Sequence, residues 1–258
     1  MADAAERGGV QSVERVLDLL EILSAHNGGQ SLSELSSASG LPQPTIHRLL
    51  GTLASRGYVR RVVGRRYTLG SRLIPIGESA VKQLGAASLP VLRQVVEQLD
   101  ETANMAVLDG DLVSYIAQVP STQPMRMFTE VGRRVHAHST GVGKAILAQL
   151  GNDVVRAIMT RAGMPTPTAK SLGSVEALLA DLQTCRERGY AVDDGEQEIG
   201  VRCIAVPVPG APTPTALSVS GPAVRVDAAF EERAVPILLK AAALVADRLN
   251  DNESTSID

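Results

Sequence analysis

The chain has no tryptophan, two phenylalanines and four tyrosines among 258 residues. So few rings exclude the stacked aromatic platforms that hold single-stranded nucleic acids, and they leave Leu, Val, Ile and Ala to build the core. Cys185 and Cys203 are the only cysteines, too few and too far apart for a disulfide framework or a four-cysteine zinc site. No apolar run is long enough to cross a bilayer, and no secretory signal or lipidation motif is found. The expectation is a reduced, cytoplasmic protein without a membrane partner. Also missing are the Gly-x-Ser-x-Gly elbow, the Walker phosphate loop and the Rossmann glycine pattern. An enzyme with Cys203 or Ser218 as nucleophile is therefore the weaker reading, and neither a catalytic residue nor a cofactor is expected.

Nor is there a basic excess, since the formal net charge is −3. That total conceals an asymmetry: residues 1–70 hold eight arginines against six acids, whereas the remainder holds 17 bases against 22 acids. The local field of a docking face, not the overall balance, governs nucleic-acid binding.

What is present is concentrated between Ser31 and Gly70. Ser31-Leu-Ser-Glu34 reads as a capping box that starts a helix, and Gly40 supplies the left-handed residue that ends it. After the turn at Leu41-Pro42, Ile46, Leu49, Leu50 and Leu53 make an apolar stripe at i, i+3, i+4 and i+7. Gln43, Thr45, His47, Arg48 and Thr52 occupy the opposite face, with hydrogen-bonding ends suited to base edges or phosphates in the major groove. Two β-rich runs around Gly64 then carry Arg60, Arg61, Arg65 and Arg66, and no acid lies between Arg56 and Arg66. Helix, turn, helix and basic hairpin in that order predict a winged helix-turn-helix, with double-stranded DNA as partner and the hairpin on phosphates or in the minor groove. An architectural DNA binder that senses nothing is the alternative at this point.

A first helix is predicted over residues 10–25, with Val13, Val16, Leu17, Leu20 and Leu23 on one side and Asn27-Gly28-Gly29 ending it. Residues 1–9 read as frayed, and residues 250–258 as a polar tail. Residues 71–86 read as a linker helix despite Pro75, between a DNA-binding domain over 10–70 and a second domain over 87–250. The second domain opens with a helix over 90–98. Strands follow over 102–108 and 112–119 around Asp109-Gly110, with a further strand over 125–131. Helices are predicted over 141–150, 154–161 and 174–188, strands over 190–192, 203–208 and 216–220, and a closing helix over 227–249. This mixture predicts an α+β domain with a largely antiparallel sheet.

These fragments, in this order, resemble a family: the transcriptional regulators of the IclR family. The likeness rests on Val10-Gln-Ser-Val-Glu-Arg15, Gly40-Leu-Pro-Gln-Pro-Thr-Ile-His-Arg-Leu, Gly57-Tyr58 and Tyr67-Thr-Leu-Gly70 in the first domain. In the second it rests on Glu101-Thr102-Ala-Asn104, Val107-Leu-Asp-Gly110, His138-Ser-Thr-Gly-Val-Gly-Lys144, Gly189-Tyr-Ala-Val-Asp193-Asp194, Gly200-Val-Arg-Cys203 and Ser218-Val-Ser-Gly-Pro222. The resemblance implies a winged helix on a palindromic operator, a linker helix, a GAF-like α/β effector domain, and homodimers or dimers of dimers. It also implies effectors that are small organic or aromatic acids, and a repressor more often than an activator. Where the family commonly has a serine this chain has Pro44, which removes a hydroxyl available to phosphate.

By position, the resemblance places the effector among the backbone of Gly141 and Val142, the polar groups of Asp193, Cys203, Ser218 and Ser220, and an apolar wall of Met127, Val135 and Val201. Two physical arguments stand beside it. Gly141-Val-Gly143 opens an apolar helix whose free N–H groups suit a carboxylate, and Ser218 and Ser220 share one face of a strand. Asp193 also reads as a turn or cap residue with Asp194, and Cys203 as a small buried hydrophobe. His136, His138, Asp193 and Cys203 offer the ligand types of a metal site, which makes a metal-responsive regulator the second reading. Glu196 and Glu198 are expected to be solvated. Arg133 and Arg134 either line the site's mouth or lie on an exposed loop.

Overall fold

A computed structural model describes residues 10–26, 28–85, 88–127 and 129–254; the predicted frayed start, Asn27, Phe128 and the last four residues of the predicted tail lie outside them. The chain divides into two compact units between Ala80 and Val81. The division falls inside helix α4 (Leu73–Leu84), in the segment expected to link the domains. Pro75 lies in its first turn, where a missing N–H breaks no helical hydrogen bond.

The first unit contains α1 (Gln11–Ser24), α2 (Leu32–Ser39), α3 (Gln43–Ser55) and an antiparallel hairpin of β1 (Val59–Val62) and β2 (Arg66–Leu69). Both bonds of the capping box form: Ser31 Oγ accepts from Glu34 N at 3.3 Å, and Glu34 Oε2 accepts from Ser31 N at 2.7 Å. Gly40 ends α2 at φ 69°. The core joins Leu19, Leu35, Ile46, Leu50, Val59 and Tyr67. α1 differs from its predicted face, because Val13 and Leu17 are exposed while Leu19 is fully buried beside Leu23. The buried stripe runs through the i, i+4 pair of Leu19 and Leu23 and leaves Val13 and Leu17 off its edge.

The second unit is built on a six-stranded antiparallel sheet in the order β5-β4-β3-β8-β7-β6. Its strands are β3 (Thr102–Asp109), β4 (Leu112–Val119), β5 (Arg134–Val135), β6 (Ala191–Asp194), β7 (Val201–Pro207) and β8 (Thr215–Pro222). One face buries Met105, Ile204, Val206, Leu217 and Val219 against α5 (Leu89–Leu99) and α9 (Ala228–Ser254). The other buries Ala106, Ala205 and Ala216 against α6 (Gly141–Leu147), α7 (Asn152–Ala162) and α8 (Val175–Arg188). The second face is made of small residues, and α6 comes close to it. A Cβ built on Gly143 would lie 2.2 Å from Ala137 O, and one on Gly141 would lie 2.8 Å from Cys203 Sγ. These glycines are thus required by packing.

The strand predicted over residues 125–131 does not form among the described residues. Pro120 and Pro124 remove donors from the approach to it, and the Met127 carbonyl accepts from the Thr102 hydroxyl at 2.9 Å instead of from a neighbouring strand. Pairing resumes only at β5, where Val135 faces Val113.

Candidate functional site

Gln43, His47, Arg48 and Thr52 are exposed along α3 on the side away from buried Ile46, Leu50 and Leu53. Pro44 sits in the first turn of this helix. Thr45 is half-buried beside the reading face, and the Thr52 hydroxyl donates back to Arg48 O at 3.3 Å. On the wing, Arg60 Nε donates to Thr68 Oγ1 at 3.1 Å, and Arg61 is exposed. Arg65 is exposed at the tip with φ 59°, next to Gly64 at φ 77°.

Arg66 has partners within the chain that were not expected. Its guanidinium donates to the Gly29 carbonyl at 2.8 and 3.2 Å and to Glu34 Oε1 at 3.0 Å. It ties the wing to the start of α2, and a phosphate would have to compete for it. The Glu34 carboxyl is held down to about 2, first by the Ser31 backbone N–H, then by the Ser31 side chain and Arg66.

In the second unit, strand register places the expected polar residues in two adjacent rows on the α6 side of the sheet. One row runs Asp193, Cys203, Ser220, Thr102; the next runs Ala191, Ala205, Ser218, Asn104, Gln118. Val142 is fully buried in α6, and Val135 belongs to the same apolar cluster. Met127 joins the first row through its bond from Thr102. Val201 also lines a separate pocket of about 310 Å³ with Thr168, Lys170 and Ile199. Of the two predicted donors, the Gly141 and Val142 backbone opens α6 over Cys203, while the next N–H, that of Gly143, is taken by the Thr140 hydroxyl at 3.2 Å.

Ser218 Oγ is buried with no oxygen or nitrogen partner and meets only the Cys203 thiol, and Asn104 Nδ2 donates to Ser220 Oγ at 3.2 Å. Burial, with the charge of Asp193 adding to it, pushes the Cys203 thiol up to about 12, so it stays a neutral thiol and no nucleophile. Asp193 has the turn role that was its alternative reading, and its strand position leaves the effector role open to test. It accepts from Glu196 N at 2.7 Å as a turn residue, and it belongs to the polar row.

Glu196 was expected in solvent, and the structure corrects this: it is 9% exposed, with Oε1 2.5 Å from Lys144 Nζ. Asp181 Oδ2 lies 3.1 Å from the same ammonium, which is itself almost wholly buried. Burial disfavours the charged lysine, but the adjoining Glu196 and Asp181 carboxylates outweigh it and raise its pKa. The sequence signal was available, since a lysine inside an otherwise apolar seven-residue helix must find carboxylates when it is buried. Glu198 is exposed as expected; Arg133 and Arg134 are exposed too, the latter on β5.

Burial pushes Asp193 up to about 7 from 3.8, against the pull of the Glu196 N–H. A carboxyl raised on folding binds its proton more tightly in the folded state, so its contribution to stability declines as pH rises from about 4 to about 7. Asp193→Asn keeps the oxygen that accepts from Glu196 N and removes the titration. The variant is expected to gain on the parent in urea unfolding between pH 5 and pH 8. An equal difference at both pH values would refute the burial of a charge there.

His138 Nε2 lies 2.9 Å from the Pro165 carbonyl, and burial lowers its pKa. The His136 and His138 rings meet edge to face at 5.8 Å. Among the described residues, no three His, Cys, Asp or Glu side chains are grouped to hold a metal, so the metal-responsive reading gains no support. No helix among those residues is long and apolar enough to cross a membrane.

A winged helix with an exposed reading face, and a separate unit with polar rows buried in its sheet, define a DNA-binding regulator that carries its own sensor domain. Residues 12–62 match the IclR helix-turn-helix domain and residues 80–247 match the bacterial transcriptional regulator IclR C-terminal domain; the chain belongs to the IclR family of transcriptional regulators, which are not enzymes. It is 38% identical over 238 residues to the transcriptional repressor IclR of Escherichia coli (strain K12), covering 88% of this chain and 85% of that protein. It is similar to the crystal structure of an IclR transcriptional regulator from Alicyclobacillus acidocaldarius, with 31% identity, TM-score 0.82, and 93% of this chain and 99% of that one covered. An IclR homologue from Microbacterium hydrocarbonoxydans, complexed with 4-hydroxybenzoate, is 25% identical with TM-score 0.79, over 93% of this chain and 99% of that one. The chain is thus an α+β DNA-binding transcriptional regulator with a GAF-like, effector-binding C-terminal domain.

Proposed function

We propose that this regulator represses transcription from a palindromic operator as a homodimer or dimer of dimers, and that a small organic or aromatic acid bound beneath α6 releases it. Gln43, His47, Arg48, Arg61 and Arg65 are the leading DNA contacts, with Thr45, Thr52 and Arg60 beside them. The effector lies against Gly141, Val142, Asp193, Cys203, Ser218 and Ser220, within an apolar surround of Met127, Val135 and Val201.

The observation that carries this reading is the Ser218 hydroxyl, buried and bonded to nothing stronger than the Cys203 thiol, a weak partner. Such a group costs about 1–3 kcal/mol if nothing satisfies it, and a ligand oxygen would. No arginine is needed if Asp193 is protonated, and with its carboxyl pushed up to about 7 that form makes up roughly half of the population at neutral pH. The repressor named among the relatives and the 4-hydroxybenzoate bound to one homologue support the sign of regulation and the ligand class. For release, the acid must bind the DNA-incompetent arrangement more tightly, since a ligand indifferent to the two states shifts nothing.

Ser220→Ala tests the placement. It should leave ligand-free operator binding within about twofold of the parent, while the acid needed for half-release rises by about tenfold, the equivalent of one lost hydrogen bond to a charged group. Fluorescence anisotropy of a labelled promoter fragment measures both. Unaltered release would move the effector elsewhere.

A further inference from the structure

We propose that Asn104, anchored by Gln118, is a positioning residue that makes the effector site select hydrogen-bond acceptors, such as carboxylate oxygens, over the matching neutral amides. The proposal rests on the effector reading above and concerns what that site prefers.

Asn104 is 1% exposed on a sheet face otherwise lined largely by alanine, serine and cysteine. A buried amide needs partners on both sides of its polar group, and both are present. Gln118 Nε2 donates to Asn104 Oδ1 at 3.0 Å, and Asn104 Nδ2 donates to Ser220 Oγ at 3.2 Å. With its oxygen engaged by Gln118, the Asn104 amide turns its nitrogen to Ser220.

The direction of donation then fixes what Ser220 can offer. A serine hydroxyl has one proton and two acceptor positions. Asn104 fills one of the acceptor positions, and the proton is left for a third group. Ser218, one register row away on the same strand and face, is also buried, its hydroxyl bonded to nothing stronger than the Cys203 thiol. Two hydroxyls that give protons suit a carboxylate, whose charged oxygens accept bonds about twice as strong as neutral ones. An amide of the same shape brings an NH2 donor that finds only one acceptor position left on Ser220, and its neutral oxygen accepts the weaker bond.

The test uses the full chain and isothermal titration with acetate, pyruvate and 4-hydroxybenzoate, each beside its neutral amide. Asn104→Leu keeps the branched heavy-atom skeleton and adds no charge, and it opens the second acceptor position on Ser220 to an amide N–H. Gln118→Leu, at a half-buried position, frees the Asn104 amide to turn round. The parent is expected to prefer acid to amide, and Asn104→Leu to reduce that ratio by about tenfold, equivalent to about 1.4 kcal/mol. Gln118→Leu should reduce it in the same direction by less, and it carries the test alone if the Asn104 variant loses its cooperative melting. A merely structural role weakens acid and amide together, so an unchanged ratio in both variants overturns the proposal. A parent that binds none of the acids overturns the effector reading itself, and this proposal with it.

Discussion

Lys144→Ala is expected to lower the stability of the C-terminal unit by about 3–5 kcal/mol, the usual result of removing one partner from a buried ion pair. Its ammonium is 1% exposed and lies between Glu196 Oε1 at 2.5 Å and Asp181 Oδ2 at 3.1 Å. Without it, these two carboxylates face one another, and Glu196 also faces Asp193, with no lysine between them. The lysine's pKa is raised on folding, so its stabilisation is complete below its ordinary 10.5 and is lost as pH rises from there through its raised value. Any pH dependence of the deficit between pH 5 and 8 therefore comes from the carboxyls. Burial raises both Glu196 and Asp193, the latter to about 7, so protonation relieves the repulsion as pH falls. Urea unfolding should show the full deficit at pH 8 and a smaller one at pH 5. A deficit below about 1 kcal/mol, or one constant with pH, would mean that ion pairing does not hold this cluster.

That cluster also fixes the geometry of the proposed effector site. Glu196 lies in the turn whose backbone N–H is bound by Asp193. The Ser171 hydroxyl donates to Glu196 O at 2.6 Å, and the Ser139 hydroxyl donates to Gln197 Oε1 at 2.8 Å. Lys144 thus joins α6 to the turn that presents Asp193, and its loss should blunt the acid response along with stability.

Which parts of this were legible in the sequence follows from the range of the interactions that decide them. The capping box at Ser31, the left-handed Gly40 and the apolar stripe of α3 are settled within a few residues, and each forms as its pattern predicts. The shared face of Ser218 and Ser220 needs only the alternation of a strand. Gln118 could not be found that way. A register shift between Met105 and Ala106 inserts an extra residue into β4, so that Tyr115 pairs with Ala106 and Gln118 pairs with Asn104 on the same face of the sheet. Strict alternation from Tyr115 would have turned Gln118 to the other side. The ties of Arg66 were hidden for a related reason, since its partners Gly29 and Glu34 are 37 and 32 residues away and nothing local marks it as engaged.

Arg48→Ala should weaken operator binding by about 1–3 kcal/mol and relax base preference at one position of each half-site, if this arginine reads a guanine edge. Its side chain leaves the exposed face of α3, one turn beyond the helix start, and the N-terminal part of a recognition helix is the part that reaches bases. Arg65→Ala should differ in kind. An arginine on the wing that neutralises phosphate carries no base information, so its loss weakens specific and random duplex alike and flattens the salt dependence by roughly 0.9 for each phosphate released. Arg66→Ala gives a third signature: it breaks the ties to Gly29 and Glu34, lowers the melting temperature of the N-terminal unit, and reduces DNA binding only as far as the wing loosens. Anisotropy titrations of operator and scrambled duplex across a salt series, run beside thermal melts, separate the three. If Arg48→Ala lost affinity equally for both duplexes, α3 would be gripping the backbone, and base reading would have to be reassigned to Gln43 and His47.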